Sequence, residues 1–197
     1  MDSQVLFVSG HRTDNAGRIP ARFPEGQVDV VRAAIAAWFQ ARGVGPGWTL
    51  ITGGARGADL IAAEEALRLK AGVHLYLASD ESTFIEQSVR DGSTSAQWWE
   101  DSFRRVRSRA SIDRLDGATP FGLKDAPRYA RANDWMLAVL EAADSPHALL
   151  VWDGDSGLPG GAGEVATRAR QIVESRGGCM HVIDPTPTSD ATTSRES

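Results

Sequence analysis

Apolar residues in this chain fall into two kinds of run that alternate along it. "VLFVSG" from Val5, "WTLITGG" from Trp48, "VHLYLA" from Val73, "HALLVWDG" from His147 and "CMHVIDP" from Cys179 are compact blocks ending near glycine, aspartate or proline. Such blocks predict strands buried on both faces. Between them lie stripes with helical spacing: Val28, Val31, Ile35, Trp38 and Phe39; Leu60, Ala63, Leu67 and Ala71; Tyr129, Ala132, Met136, Val139 and Leu140; Val165, Ala169, Ile172 and Val173. Each predicts an amphipathic helix with one apolar face. Strands alternating with helices pair in parallel through right-handed crossovers, so the expected class is α/β, a doubly wound parallel sheet in three α/β/α layers.

The pattern loosens between Asp80 and Pro127, where tryptophans, arginines and weak helical stretches replace any clear strand. So long a connection predicts a helical insertion at about 80–127. Residues 185–197 are nearly devoid of apolar side chains and read as a disordered tail. Residues 1–184 are expected to form a single domain.

Charge and cysteine content narrow the functional classes. With 21 basic against 26 acidic side chains, the net charge of -5 argues against a general nucleic-acid binder, which needs clustered cations on phosphate. Cys179 is the only cysteine, which excludes an internal disulfide and suits a reducing cytoplasm. No stretch approaches the roughly 18 apolar residues of a membrane span, and no basic-then-apolar leader opens the chain. The expectation is a soluble cytoplasmic protein with no membrane partner.

Chemistry concentrates at strand ends, where open parallel sheets bind ligands. The first strand ends in "SGHR", the second in "TGGARGAD", the fourth in "WDGDSGLPGGAG". Gly53 and Gly54 allow a sharp turn and a close backbone approach, and the following helix start favours an anion. Phosphate is the natural occupant, with Arg56 balancing its charge and Asp59 either capping helical amides or accepting hydrogen bonds from a ribose. Glycines at such a junction also serve merely to turn the chain. Gly160, Gly161 and Gly163 open a second helix toward the same crevice. Neither loop is GxGxxG with a downstream ribose acid, nor GxxxxGK[ST], so dinucleotide oxidoreductases and nucleoside triphosphatases fall and no cofactor is expected. His74, His147 and His181 lack metal-ligand spacing with acidic residues, so no metal site is expected.

"VSGHR", "ITGGARGAD", "RANDWML" and "VWDGDSGLPGGAG" together resemble the SLOG superfamily of Rossmann-like domains, in its YspA-like branch. Members bind nucleotides or nucleotide derivatives; some hydrolyse nucleoside monophosphates at the N-glycosidic bond, and others are sensors. The resemblance implies a nucleotide-like ligand held by Gly53, Gly54, Arg56, Gly57 and the 160–163 loop. Ser9, Gly10, His11 and Arg12 at the end of the first strand are placed to line the crevice, with His11 equally able to bond local backbone, and the resemblance brings forward Arg131 and Asn133 on the helix expected to enter it. The phosphoribohydrolase pattern PGGxGTxxE is broken: Glu164 stands at its threonine and Thr167 at its glutamate.

Two readings result. The first is a sensor-like binding domain for a nucleotide-like small molecule, open to homodimerisation. The second is a nucleoside-monophosphate N-glycosidase with Glu164 or Asp59 as candidate catalytic carboxylates. Single-stranded DNA binding, also found in the superfamily, is set aside on net acidity.

Overall fold

The computed structural model of the chain describes residues 4–115, 127–155 and 162–187. The five predicted strands form as β1 (Gln4–Gly10), β2 (Trp48–Thr52), β3 (Gly72–Leu77), β5 (Ser145–Val151) and β6 (Met180–Ile183), joined by β4 (Ser111–Arg114). All pair in parallel in the order β4-β3-β2-β1-β5-β6. The chain steps outward from β1 to β4 and then crosses back to β5 on the other side of β1. Strand order therefore reverses at β1, the place where open α/β sheets form a crevice.

Period-two alternation divides the strand residues between two cores. Leu6 and Val8 of β1, Leu50 of β2, Leu75 of β3 and Leu149 of β5 face one layer. Phe7, Ile51, Tyr76, Ala148 and Leu150 face the other. The first layer holds α1 (Val28–Arg42), α2 (Ala58–Arg68) and α4 (Ala96–Arg107); the second holds α5 (Arg128–Glu141) and α6 (Ala162–Ser175). On α1 the buried side chains are Val31, Ile35 and Phe39, spaced by four, each worth about 1.5–3 kcal/mol of apolar burial. Gly43 ends that helix in the left-handed region at φ 68°, the geometry a helix C-terminal glycine supplies.

The segment expected to be a helical insertion departs from expectation in one respect. It does contain helix: α3 (Glu81–Phe84), a π-helical turn (Ile85–Arg90) and α4. It also contains β4, which pairs with β3 from His74↔Ser111 to Leu77↔Arg114. "SIDR" carries no apolar run because β4 is a short edge strand with partly exposed residues, and polar edges of this kind discourage pairing with other chains. Trp99 is buried in the first core whereas its neighbour Trp98 is 43% exposed. The arginines of α4 are tied down, Arg105 to Glu64 of α2 at 2.8 Å and Arg107 to Glu81 at 3.2 Å. No helix of the described residues is long and apolar enough to cross a membrane.

Candidate functional site

A cleft of about 660 Å³ opens over the carboxyl ends of β1, β2 and β3. Ser9 and Gly10 come to it from β1, Gly53 and Ala55 from the turn after β2, and Tyr76 and Ala78 from the end of β3. The π-helical turn adds Glu86, Gln87 and Ser88 to the wall. Such turns are frequent at functional sites because the extra residue per turn redirects side chains. On α5, Tyr129, Ala132, Asn133 and Met136 line the cleft at offsets 0, 3, 4 and 7, a single helix face. Tyr129 is 44% exposed, and its hydroxyl lies 3.1 Å from Ser88 Oγ.

The glycine turn is held by its own residues. Gly54 adopts φ 79° and Gly57 φ 90°, both in the region that favours glycine. A Cβ on Gly57 would lie 2.7 Å from the His11 carbonyl oxygen and 2.8 Å from the Thr13 amide nitrogen, so the first turn of α2 abuts the backbone after β1. The amide of Ala58 donates to His11 O at 3.3 Å and that of Arg56 to Ser88 O at 3.1 Å. The Ala55 amide donates to Asp59 Oδ2 at 3.2 Å. The amides of Ala55, Arg56 and Ala58, expected to be open to phosphate, are thus occupied within the chain.

Arg56 also departs from its expected role. Its side chain is 1% exposed and absent from the cleft wall. The guanidinium donates to Thr13 Oγ1 at 3.0 Å, to Thr13 O at 3.1 Å, to Asn15 Oδ1 at 2.6 Å and to the Asp91 carbonyl. Burial, followed by the nearby charge of Arg12, lowers its pKa from the usual arginine value. Arg56 thus fastens three loops beneath the cleft rather than meeting a ligand directly.

Asp59 lies on the cleft wall yet is only 9% exposed. Burial pushes its carboxyl up to about 7, against the opposing pull of the Ala55, Gly54 and Gly53 amides. A carboxyl in this position exchanges a proton near neutrality, a property suited to acid or base chemistry and to proton-coupled binding.

Arg12 is exposed, donates to Gln87 O at 2.7 Å and forms no carboxylate ion pair among the described residues. His11 faces elsewhere, into a second cavity of about 260 Å³ whose wall it shares with Arg12, Asp14, Arg18 and Arg22. Its Nε2 lies 3.0 Å from Asp153 Oδ1 and 3.0 Å from Arg22 Nη2. Burial lowers the His11 pKa, opposed by Asp153, while Arg22 lowers it further. Arg22 bonded to Asp153 at 2.7 Å holds that carboxyl well below the usual carboxylate range.

The remaining predicted residues divide. Asn133 lines the cleft and Arg131 does not. Gly163 is buried in the first turn of α6, which faces the cleft with Ala162 and Val165. Glu164 is exposed and outside that wall, and Thr167 Oγ1 donates to Gly163 O at 2.9 Å. Gly160 and Gly161 lie outside the described residues. Sequence reasoning missed Tyr76, Phe84 and Gln87, and took Tyr129 only as part of an apolar helix stripe. The polar Asn133 beside that apolar stripe was the available signal. Among the described residues no group of His, Cys, Asp or Glu is arranged to hold a metal ion.

No family profile matches this chain, and no curated protein matches it in sequence. Among solved structures it is similar to the X-ray structure of DNA processing protein A (DprA) from Streptococcus pneumoniae, with a TM-score of 0.51 at 11% identity. The match covers 96% of this chain and 52% of that one, so this chain spans about half the length of the solved protein. The shared property is the Rossmann-like α/β fold. The finding overturns the exclusion of nucleic acid as a partner, since a DNA-processing protein carries this fold. The exclusion rested on a net charge of -5, and net charge does not report the local field: Arg12, Arg18 and Arg22 gather around one cavity.

Proposed function

We propose that this chain is a sensor-like nucleotide-binding domain of the SLOG superfamily, in its YspA-like branch, taking a nucleotide or nucleotide derivative in the cleft over β1, β2 and β3. The observation that carries the reading is the division of labour on the cleft wall. Tyr129 offers an exposed aromatic ring to a base above the buried apolar side chains of Phe84 and Met136, Asn133 and Asp59 offer hydrogen-bonding groups to ribose, and Arg12 offers a cation to phosphate. The volume of about 660 Å³ lies within the range of roughly 300–1,000 Å³ usual for small-molecule sites. "VSGHR" and "TGGARGAD" support the superfamily assignment, with Gly57 and Arg56 of the second motif packed against the chain that follows β1.

Hydrolysis of the N-glycosidic bond is the second reading, and Asp59 is the observation that favours it. A carboxyl titrating at about 7 beside a bound ribose is suited to protonate a departing base. Glu164 does not support it, because α6 turns Ala162 and Val165 toward the cleft instead.

Native mass spectrometry of freshly purified protein tests for a retained nucleotide. Calorimetry with AMP, ADP, GMP, GDP and a single-stranded oligonucleotide then measures preference. Binding of a mononucleotide that Arg12→Gln weakens supports the reading; binding of the oligonucleotide alone overturns it. Chromatographic detection of free base that Asp59→Asn abolishes, with binding retained, replaces the sensor by the hydrolase.

A further inference from the structure

The cavity walled by His11, Arg12, Asp14, Arg18 and Arg22 adjoins the main cleft, because Arg12 belongs to the walls of both. Every residue on its wall is polar or charged. At about 260 Å³ it falls below the roughly 300 Å³ at which pockets begin to enclose a whole small molecule, so its size suits one group of a larger ligand.

Its neighbouring carboxylates are committed to two of its three arginines. Asp153 is engaged by Arg22 at 2.7 Å and by His11 at 3.0 Å. Asp14 accepts the backbone amides of Arg22 at 2.9 Å and Phe23 at 3.0 Å, and meets Arg18 only at 3.4 Å. Asp153 and Asp155 act on Arg22 and Asp14 meets Arg18, so Arg12 is the guanidinium on this wall with no carboxylate of its own among the described residues. Within the main cleft, the glycine-turn amides of Ala55, Arg56 and Ala58 are already spent on Asp59, Ser88 and His11. An anionic chain entering the cleft finds its counter-charge by running past Arg12 toward Arg18 and Arg22.

We infer that this second cavity is an anion subsite for a distal phosphate, so that the ligand class is a nucleoside carrying a diphosphate or longer anionic chain rather than a monophosphate. The inference rests on the nucleotide reading of the main cleft. Arg12 bridges the two phosphates, Arg18 receives the distal one, and Arg22, fixed by its fork on Asp153, shapes the wall.

Calorimetry with AMP, ADP, GMP, GDP and inorganic pyrophosphate on the parent chain, Arg12→Gln and Arg18→Gln tests it. Arg18 is exposed, so its variant retains the parental melting temperature. The better-bound base should favour diphosphate over monophosphate by about tenfold, Arg18→Gln should cut that ratio to about twofold without weakening the monophosphate, and Arg12→Gln should weaken both. Equal affinities for monophosphate and diphosphate overturn the subsite and leave the cleft reading standing. Pyrophosphate binding that depends on Arg18, without binding of any nucleotide, overturns the cleft reading and retains the subsite. Tighter binding of a 5′-phosphorylated oligonucleotide than of the diphosphate, with the same Arg18 dependence, overturns the small-molecule assignment.

Discussion

The Asp59 carboxylate accepts the Ala55 amide proton at 3.2 Å, at the turn where a bound anion would otherwise meet the first residues of α2. The chain has supplied its own anion to that turn, and burial makes the charge expensive enough that the group titrates at about 7.

A pH dependence of stability follows with a definite sign. Asp59 titrates near 3.8 when unfolded and at about 7 when folded, so across that interval the folded chain holds a proton the unfolded chain has released. Stability from this group is complete below pH 3.8 and is lost as pH rises through about 7. Asp59→Asn keeps an oxygen for the Ala55 amide and removes the titration. Urea unfolding between pH 4 and 7.5 should show the parent losing roughly 2–4 kcal/mol relative to the variant. Parallel profiles would show that Asp59 ionises normally.

Arg56 makes a different prediction from a ligand-binding arginine. Its removal strands the carbonyl and hydroxyl of Thr13, which is 2% exposed, and unties the Asp91 carbonyl and Asn15 Oδ1 from the same point. Arg56→Ala should destabilise the fold by about 3 kcal/mol, read from chemical denaturation, because unpaired buried polar groups carry their full desolvation cost. A variant with parental stability and only weakened nucleotide binding would return Arg56 to the ligand.

Gly57 is fixed by contact as well as by dihedral angle. A methyl group there lies 2.7 Å from His11 O and sits on a residue with φ 90°. Gly57→Ala should cost about 2–3 kcal/mol in the same assay and lower the expression of folded protein. By contrast Gly17, also at positive φ but with nothing within 4 Å, should accept alanine at about 1 kcal/mol.

These positions also mark how far the sequence was legible. The spacing of Val31, Ile35 and Phe39 announced α1 because an amphipathic face is a local property of the chain. β4 was invisible because "SIDR" is a polar edge, bonded to β3 on one side and needing no apolar alternation. "TGGARGAD" marked a turn with Gly54 and Gly57 at positive φ, yet the direction of Arg56 depends on Thr13 and Asn15, 43 and 41 residues earlier. Tyr129 and Met136 share one helical stripe with core residues, and periodicity alone does not distinguish an apolar face buried by protein from one bordering a cleft.

Exposure resolves that ambiguity for Tyr129. A core tyrosine on α5 would be buried, as Met136 is at 2% exposure, whereas Tyr129 is 44% exposed at the cleft with its hydroxyl on Ser88 and the Arg128 guanidinium 5.2 Å from its ring centroid. On the nucleotide reading proposed above, a ring fixed at its hydroxyl and exposed at the cleft serves to stack a base, and stacking of this kind contributes about 1–3 kcal/mol per base. Tyr129→Ala should therefore weaken the best-bound nucleotide about tenfold while moving the melting temperature little. Tyr129→Phe retains the ring, loses only the Ser88 contact, and should stay within about twofold of the parent. Pyrophosphate affinity should be indifferent to both substitutions, because it has no ring to stack. If calorimetry finds Tyr129→Ala as tight as the parent for every nucleotide, the base lies elsewhere in the cleft and Tyr76 and Phe84 become the rings to substitute.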